Sequence, residues 1–297
     1  MRGERLFSEA FLRRLERLAL IFRQTASSRM QGERRSSRRG QSVEFSDFRP
    51  YALGDDFRRI DWNAYARLER LFIKLFVAEE DTTLHLLIDS SRSMDWGEPN
   101  KLDYAIQAAG ALGYIALVGL DRVTVTTSRN ISNLASSHFP AVRGKQSAVK
   151  LFAFLQSIVP CLEPIATGKW LGAYASNAAN PGVIVIVSDL MSDGWESGLN
   201  LLRGRGHDVS VFHLLSPDET QPELIGDFRL IDSETQAEIE VTADFETVSR
   251  YKSNLQSWQD DWHQFCRARA ISYIPIQTSL PLEDLLFAWL PNRGILR

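Results

Sequence analysis

From residue 83 onward, short and almost wholly apolar runs alternate with amphipathic segments. Thr83–Ile88, Arg122–Thr127, Val183–Val187, Val209–Leu215 and Ile271–Gln277 read as strands. Lys101–Leu120, Ser147–Val159, Leu171–Ala179, about 196–204, Asp244–Ala270 and Leu282–Trp289 read as helices. The run Val183–Val187 has no polar face, which suits a parallel sheet covered on both sides. The expected class is therefore α/β, a Rossmann-like, doubly wound, mainly parallel sheet. Phe228–Val241 alternates as a β-hairpin does around Asp232, an insertion at about 226–242.

The first 82 residues are patterned differently. Residues 8–24 set Phe11, Leu15, Leu18 and Phe22 on one helical face and mostly Arg and Glu on the other. Such a helix docks on its own domain or, alternatively, makes peripheral contact with a membrane surface or a partner. Residues 25–42 are rich in Ser, Arg, Gly and Gln and read as a flexible arm. Val43–Arg49 and Leu71–Glu79 read as strands flanking a turn with a dense charge cluster. Three segments result: a basic helix and arm at 1–42, a β extension at 43–82, and the α/β domain at 83–297.

Composition adds bounds. With 297 residues, 44 % apolar and 24 % charged, a sizeable core is within reach. A net charge of -3 gives no sign of a nucleic-acid partner, although residues 1–43 hold eleven Arg against four Glu. Cys161 and Cys266 cannot build a disulfide framework and are expected as buried reduced thiols, which suits a cytoplasmic location. No signal-peptide pattern and no membrane-length apolar stretch is seen.

In doubly wound folds ligands bind beyond the carboxyl ends of the strands. Two apolar runs lead into aspartates, Asp89-Ser-Ser91-Arg-Ser93 and Ser188-Asp189. The i, i+2, i+4 spacing can turn Asp89, Ser91 and Ser93 toward one point, and carboxylates with hydroxyls are hard oxygen ligands suited to Mg²⁺ or a similar divalent ion such as Mn²⁺ or Ca²⁺. With at most two negative charges, such a site stays electrophilic and can accept a partner's carboxylate. The competing reading is that Asp89 and Ser91 only cap the following turn.

Asp89-x-Ser91-x-Ser93 resembles the first motif of the metal-ion-dependent adhesion site of von Willebrand factor A-like (vWA) domains. The resemblance implies that Asp189 is the family's last aspartate and Thr167 its intermediate threonine. It departs at Gly168-Lys169, where members often carry an acidic residue. Tyr51-x-x-Gly54-Asp55-Asp56-x-Arg58-x-Ile60-Asp61-Trp62, together with Phe45–Arg49 and Arg205–Val209, is similar to a bacterial branch, family 58 of the domains of unknown function. That branch is paired with MoxR-type AAA+ ATPases. The resemblance thus implies an interaction module that works with such an ATPase and an unknown client in complex assembly or maturation. The cluster Asp55, Asp56, Arg58, Asp61 reads either as a salt-bridge network locking the extension or, with Trp62, as a partner-docking element.

Enzymatic signatures are missing. There is no phosphate loop, because Gly168-Lys169 is followed by Trp170, and no Gly-x-Ser-x-Gly elbow. A dehalogenase-like phosphatase needs a second carboxylate where Ser91 stands. The five histidines lack zinc-ligand spacing, and His207 and His213 are expected as satisfied polar groups. The chain is therefore expected not to be an enzyme; the alternative is a metal-dependent hydrolase using Asp89 and Asp189.

Overall fold

The structure is a computed structural model that describes residues 6–20, 43–52, 57, 60–78, 82–128, 137–161, 166–177, 181–222, 225–232 and 237–297. The chain divides into two compact units, residues 28–81 and residues 1–27 with 82–297.

The larger unit is a six-stranded sheet. Its strands are β3 (Thr83–Ile88), β4 (Arg122–Thr127), β5 (His138–Arg143), β6 (Val183–Ser188), β7 (Asp208–Leu215) and β10 (Ser272–Gln277), in the order β10-β7-β6-β3-β4-β5. All neighbours are parallel except β4 and β5. The chain leaves β3 toward β4 on one side and later returns to β6 on the other. The strand order therefore reverses between β3 and β6, and the crevice of a doubly wound sheet opens beyond their carboxyl ends. Strand β5 has no counterpart in the hydrophobic pattern. It is an antiparallel edge strand containing Pro140, with an irregular register against β4, the position where proline is tolerated.

Alternate strand residues feed two cores, as the pleat requires. Leu84, Leu86, Ile88, Val123, Val125, Val185 and Val187 face helix Lys101–Val118 (α3), which is buried nearly all round, and helix Ala148–Gln156 (α4). Leu87, Ile184, Ile186, Val209 and Val211 face Thr167–Asn177 (α5), Trp195–Gly204 (α6) and Phe245–Ala268 (α8). Both Cys161 and Cys266 are buried free thiols. The hairpin β8 (Gly226–Ile231) and β9 (Glu238–Ala243) forms its own two-stranded sheet.

The N-terminal helix α1 is shorter than its amphipathic pattern, spanning Glu9–Leu15 with Ser8 as cap. Phe7, Phe11 and Leu15 are buried in the first core. The backbone then turns away because Ala19 exchanges both amide hydrogen bonds with Arg297 at the chain's end, which outcompetes a further helical turn.

In the smaller unit β1 (Val43–Pro50) pairs antiparallel with β2 (Phe72–Ala78), with a bulge between Phe45 and Asp47. Between them the charged turn resolves partly into a short helix α2 (Trp62–Leu68), capped by Asp61. Among the described residues no helix is long and apolar enough to cross a membrane.

Candidate functional site

The site grows out of the switch between β3 and β6. Asp89 follows the last residue of β3, and its amide donates to Val187 O at 2.9 Å, extending the ladder by one rung. Three strand ends then converge on its carboxylate. Oδ1 accepts the Ser91 amide at 2.9 Å and the Ser128 hydroxyl, just beyond β4, at 3.0 Å. Oδ2 accepts the Ser188 hydroxyl, the last residue of β6, at 2.6 Å. Burial, then the neighbouring charge of Asp189, push the Asp89 carboxyl above the usual range, while the hydrogen bonds from Ser188 and Ser91 oppose the rise.

Asp189 lies on the next residue of the β6 end. Its Oδ1 accepts the Met191 amide at 3.2 Å, and the residue between them, Leu190, takes a left-handed φ of 56°. A bulky residue held there stores backbone strain beside the aspartate. Oδ2 of Asp189 accepts Lys101 Nζ at 2.8 Å, and the same ammonium donates to Glu219 Oε1 at 2.5 Å. Lys101 is the first residue of α3, with Asn100 as its cap, and it is 0 % exposed. Burial works against its charge, but Asp189 and Glu219 outweigh that and hold the ammonium above the ordinary lysine value. Glu219 belongs to a short turn, Pro217–Thr220 (α7), built by a capping box: Ser216 and Glu219 each accept the other's amide.

Ser93, Thr167 and Ser192 line one open cavity of about 1400 Å³ together with Lys169, Glu219 and Arg229, whereas Asp89, Ser91 and Asp189 are buried and do not line it. Ser91 Oγ and Ser93 Oγ lie 3.0 Å apart, and Thr167 Oγ1 lies 2.6 Å from Ser192 Oγ. Thr167 opens α5, and Gly168 follows it for a steric reason: a Cβ there would meet Gly194 O at 3.3 Å, and Gly194 itself has φ 92°. Lys169 is exposed on the cavity wall. Of the residues singled out from sequence, Asp89, Ser91, Ser93, Thr167 and Asp189 thus gather around the carboxyl ends of β3 and β6. Asp55, Asp56 and Arg58 lie outside the described residues. Asp61 is buried and caps α2 by accepting the Asn63 and Ala64 amides, whereas Trp62 is exposed and stacks edge-on with Tyr65 at 6.2 Å.

A divalent cation fits the donor set. Ser91 Oγ and Ser93 Oγ share a hydrogen bond at 3.0 Å, and two ligands at right angles in an octahedral Mg²⁺ shell, each about 2.1 Å from the ion, are about as far apart, so the pair can meet one ion without separating. Among the described residues no group of three or more His, Cys, Asp or Glu side chains is assembled for a metal, so an ion here would need hydroxyls beside the two carboxylates.

Three partners escaped the sequence reading. Ser128 lies beyond a strand with no distinguishing pattern. Glu219 was legible, since Ser216-Pro-Asp-Glu219 has capping-box spacing. Lys101 carried a faint signal: a cation in the first turn of an apolar helix opposes the macrodipole and calls for a compensating anion. Of the two histidines expected to be satisfied, His207 is, its Nδ1 accepting the Gly182 amide at 3.2 Å, and His213 is so on one side only. His213 bonds Tyr273 through Nδ1 at 2.5 Å, but its buried Nε2 has no hydrogen-bond partner, and neither has His85 Nε2.

The sequence profile of a family described as "Protein of unknown function DUF58" matches residues 47–260. Uncharacterized proteins of Mycobacterium bovis (Mb1516) and Mycobacterium tuberculosis (Rv1480) are each 27 % identical over 229 residues, 74 % of this chain and 70 % of the relative. Among solved structures, the conserved hypothetical protein BatB from Bacteroides thetaiotaomicron is 14 % identical over 69 % of this chain and 97 % of that one, with a TM-score of 0.38. An aerotolerance-related membrane protein from Bacteroides fragilis is 16 % identical over 72 % and 98 %, with a TM-score of 0.41.

Proposed function

We propose, from the premise that this chain belongs to the DUF58 family, that the cluster at the sheet's switch point is a vWA-like divalent-cation site through which the protein captures a carboxylate of a partner protein. The observation that carries the reading is the pair of Ser91 and Ser93 hydroxyls at octahedral-edge spacing beside the buried Asp89. Asp89, Ser91, Ser93, Thr167 and Asp189 would hold the ion, with Mg²⁺ the best match to neutral hydroxyls and few carboxylates. The bound ion supplies a positive centre that can accept one more oxygen. The chain's own contribution is to orient the donors. Ser91 N, Ser128 and Ser188 anchor Asp89, Ser192 anchors the Thr167 hydroxyl, and the cavity leaves an approach for the partner.

In this reading the protein is a non-enzymatic interaction module. The MoxR-type AAA+ ATPase partner and the client in assembly or maturation come from the family resemblance, the cytoplasmic setting from the two free cysteines, and together they complete the proposal. Affinity purification with wild type and Asp89→Ala in parallel, with and without EDTA, tests it. The expected result is a set of partners retained by wild type, lost in the variant and lost in EDTA, with the circular dichroism of the variant unchanged. Retention in all three conditions would overturn it.

A further inference from the structure

The site already contains a cation of its own. Lys101 Nζ, fully buried, sits between Asp189 Oδ2 at 2.8 Å and Glu219 Oε1 at 2.5 Å. It cannot withdraw as a surface lysine does. Its helix is buried nearly all round, and the turn before it is tied down where Thr278 Oγ1 donates to Pro99 O. Gly97 in the same turn, with φ 87°, presses so closely on Ser216 that a Cβ would lie 2.3 Å from the serine's own. The ammonium therefore presents a fixed positive field to whatever binds beside Asp189.

We propose that Lys101 is a specificity-determining residue that lowers the site's affinity for divalent cations, and that Glu219 sets how far it does so. The proposal rests on the cation-site reading above. Two carboxylates, Asp189 and Glu219, face one ammonium, and the charge of Asp89 neighbours Asp189, so the cluster as a whole carries a formal charge of −2 that one divalent ion neutralises. Remove the ammonium and the charge becomes −3, with no positive group repelling the ion. Remove the Glu219 charge and the ammonium repels more strongly. Glu219 is suited to this part because it lines the cavity while its other oxygen accepts the Ser216 amide at 2.7 Å, so it faces both Lys101 and an incoming partner. A site tuned in this way holds its ion loosely alone, and more tightly once a partner's carboxylate returns the charge that Lys101 cancels.

The test is calorimetric titration of the chelator-treated full chain with MgCl₂ and MnCl₂, comparing wild type, Lys101→Met, Glu219→Gln and the double variant. A unit charge about 6 Å from a divalent ion, at an effective dielectric constant of about 40 to 80, changes affinity roughly ten- to a hundredfold. Lys101→Met is expected to bind more tightly by that factor, Glu219→Gln more weakly, and the double variant close to wild type. Gln at position 219 can still complete the capping box, so the turn is retained. If Lys101→Met does not fold without ions, the double variant against Glu219→Gln gives the same reading, the double variant binding more tightly. Wild-type binding with no tightening on loss of Lys101 overturns this proposal and leaves the cation site standing. Absence of Mg²⁺ and Mn²⁺ binding in all four proteins overturns both.

Discussion

Where β3 and β6 end, the chain buries charges; where they begin, it buries neutral rings. At the ends, Asp89, Asp189 and Lys101 are at most 3 % exposed, and each carboxylate oxygen and the ammonium has a named partner. At the beginnings, His85 and His207 lie edge to face with ring centroids 5.3 Å apart. His85 Nδ1 meets the Tyr174 hydroxyl at 2.5 Å, and His207 Nδ1 accepts the Gly182 amide at 3.2 Å. Burial, then the neighbouring His207, push His85 down to about 4, so it stays uncharged. The difference follows from the fold. In a doubly wound sheet the strand ends meet helix N-termini, free amides and hydroxyl-bearing loops, which stabilise anions. The opposite edge meets helix C-termini and offers little to a buried charge. His213 is the exception, a buried neutral ring beside Ser188 at the charged edge, pushed down to about 4 chiefly by burial.

The comparison can be broken at either edge. The largest effect is expected at the charged one. Lys101→Met in EDTA leaves Asp189 and Glu219 without their counter-charge, and removing one partner of a buried ion pair costs about 3–5 kcal/mol. Urea denaturation measures it, and a loss under about 1 kcal/mol would show that the triad is not a structural tie.

The neutral edge should fail in acid. In the unfolded chain His85 takes a proton near 6.5, but in the fold only near 4. The folded state thus binds fewer protons in that window, and stability falls as pH drops through it, by on the order of 3 kcal/mol for one such histidine. Asp89 acts in the opposite sense: its carboxyl is held above 3.8, so its protonation favours the fold as pH falls. Denaturation of wild type and His85→Gln at stepped pH separates the two, and an unchanged slope in the variant contradicts the assignment.

The smallest effect sharpens the picture. Ser216→Ala removes one half of the capping box that carries Glu219 and should cost about 1 kcal/mol, and urea denaturation at neutral pH resolves it. A larger loss would mean that the cap also holds the Lys101 triad together.

Much of this architecture was already written in local patterns. Apolar runs such as Val183–Val187 announce strands buried on both faces, because five β-branched residues are too short a run for a buried helix, and the aspartates after β3 and β6 stand where such strands deliver their ligand-binding groups. Helix α2 was not legible, because its turn of charges hides the cap at Asp61, and β5 was masked by Pro140. Helix α1 was overextended because an amphipathic stripe says nothing of the tail at Arg297 that competes for its backbone. Residue order alone could name Asp89, Ser91, Ser93 and Asp189, since these sit next to their own strands. Only the folded chain could bring Lys101, Ser128 and Glu219 to them, because those contacts join residues 39 to 118 positions apart and depend on strand order. Local periodicity records which face a residue presents to a core, whereas the partner of a buried charge is chosen by which distant segments the topology sets side by side.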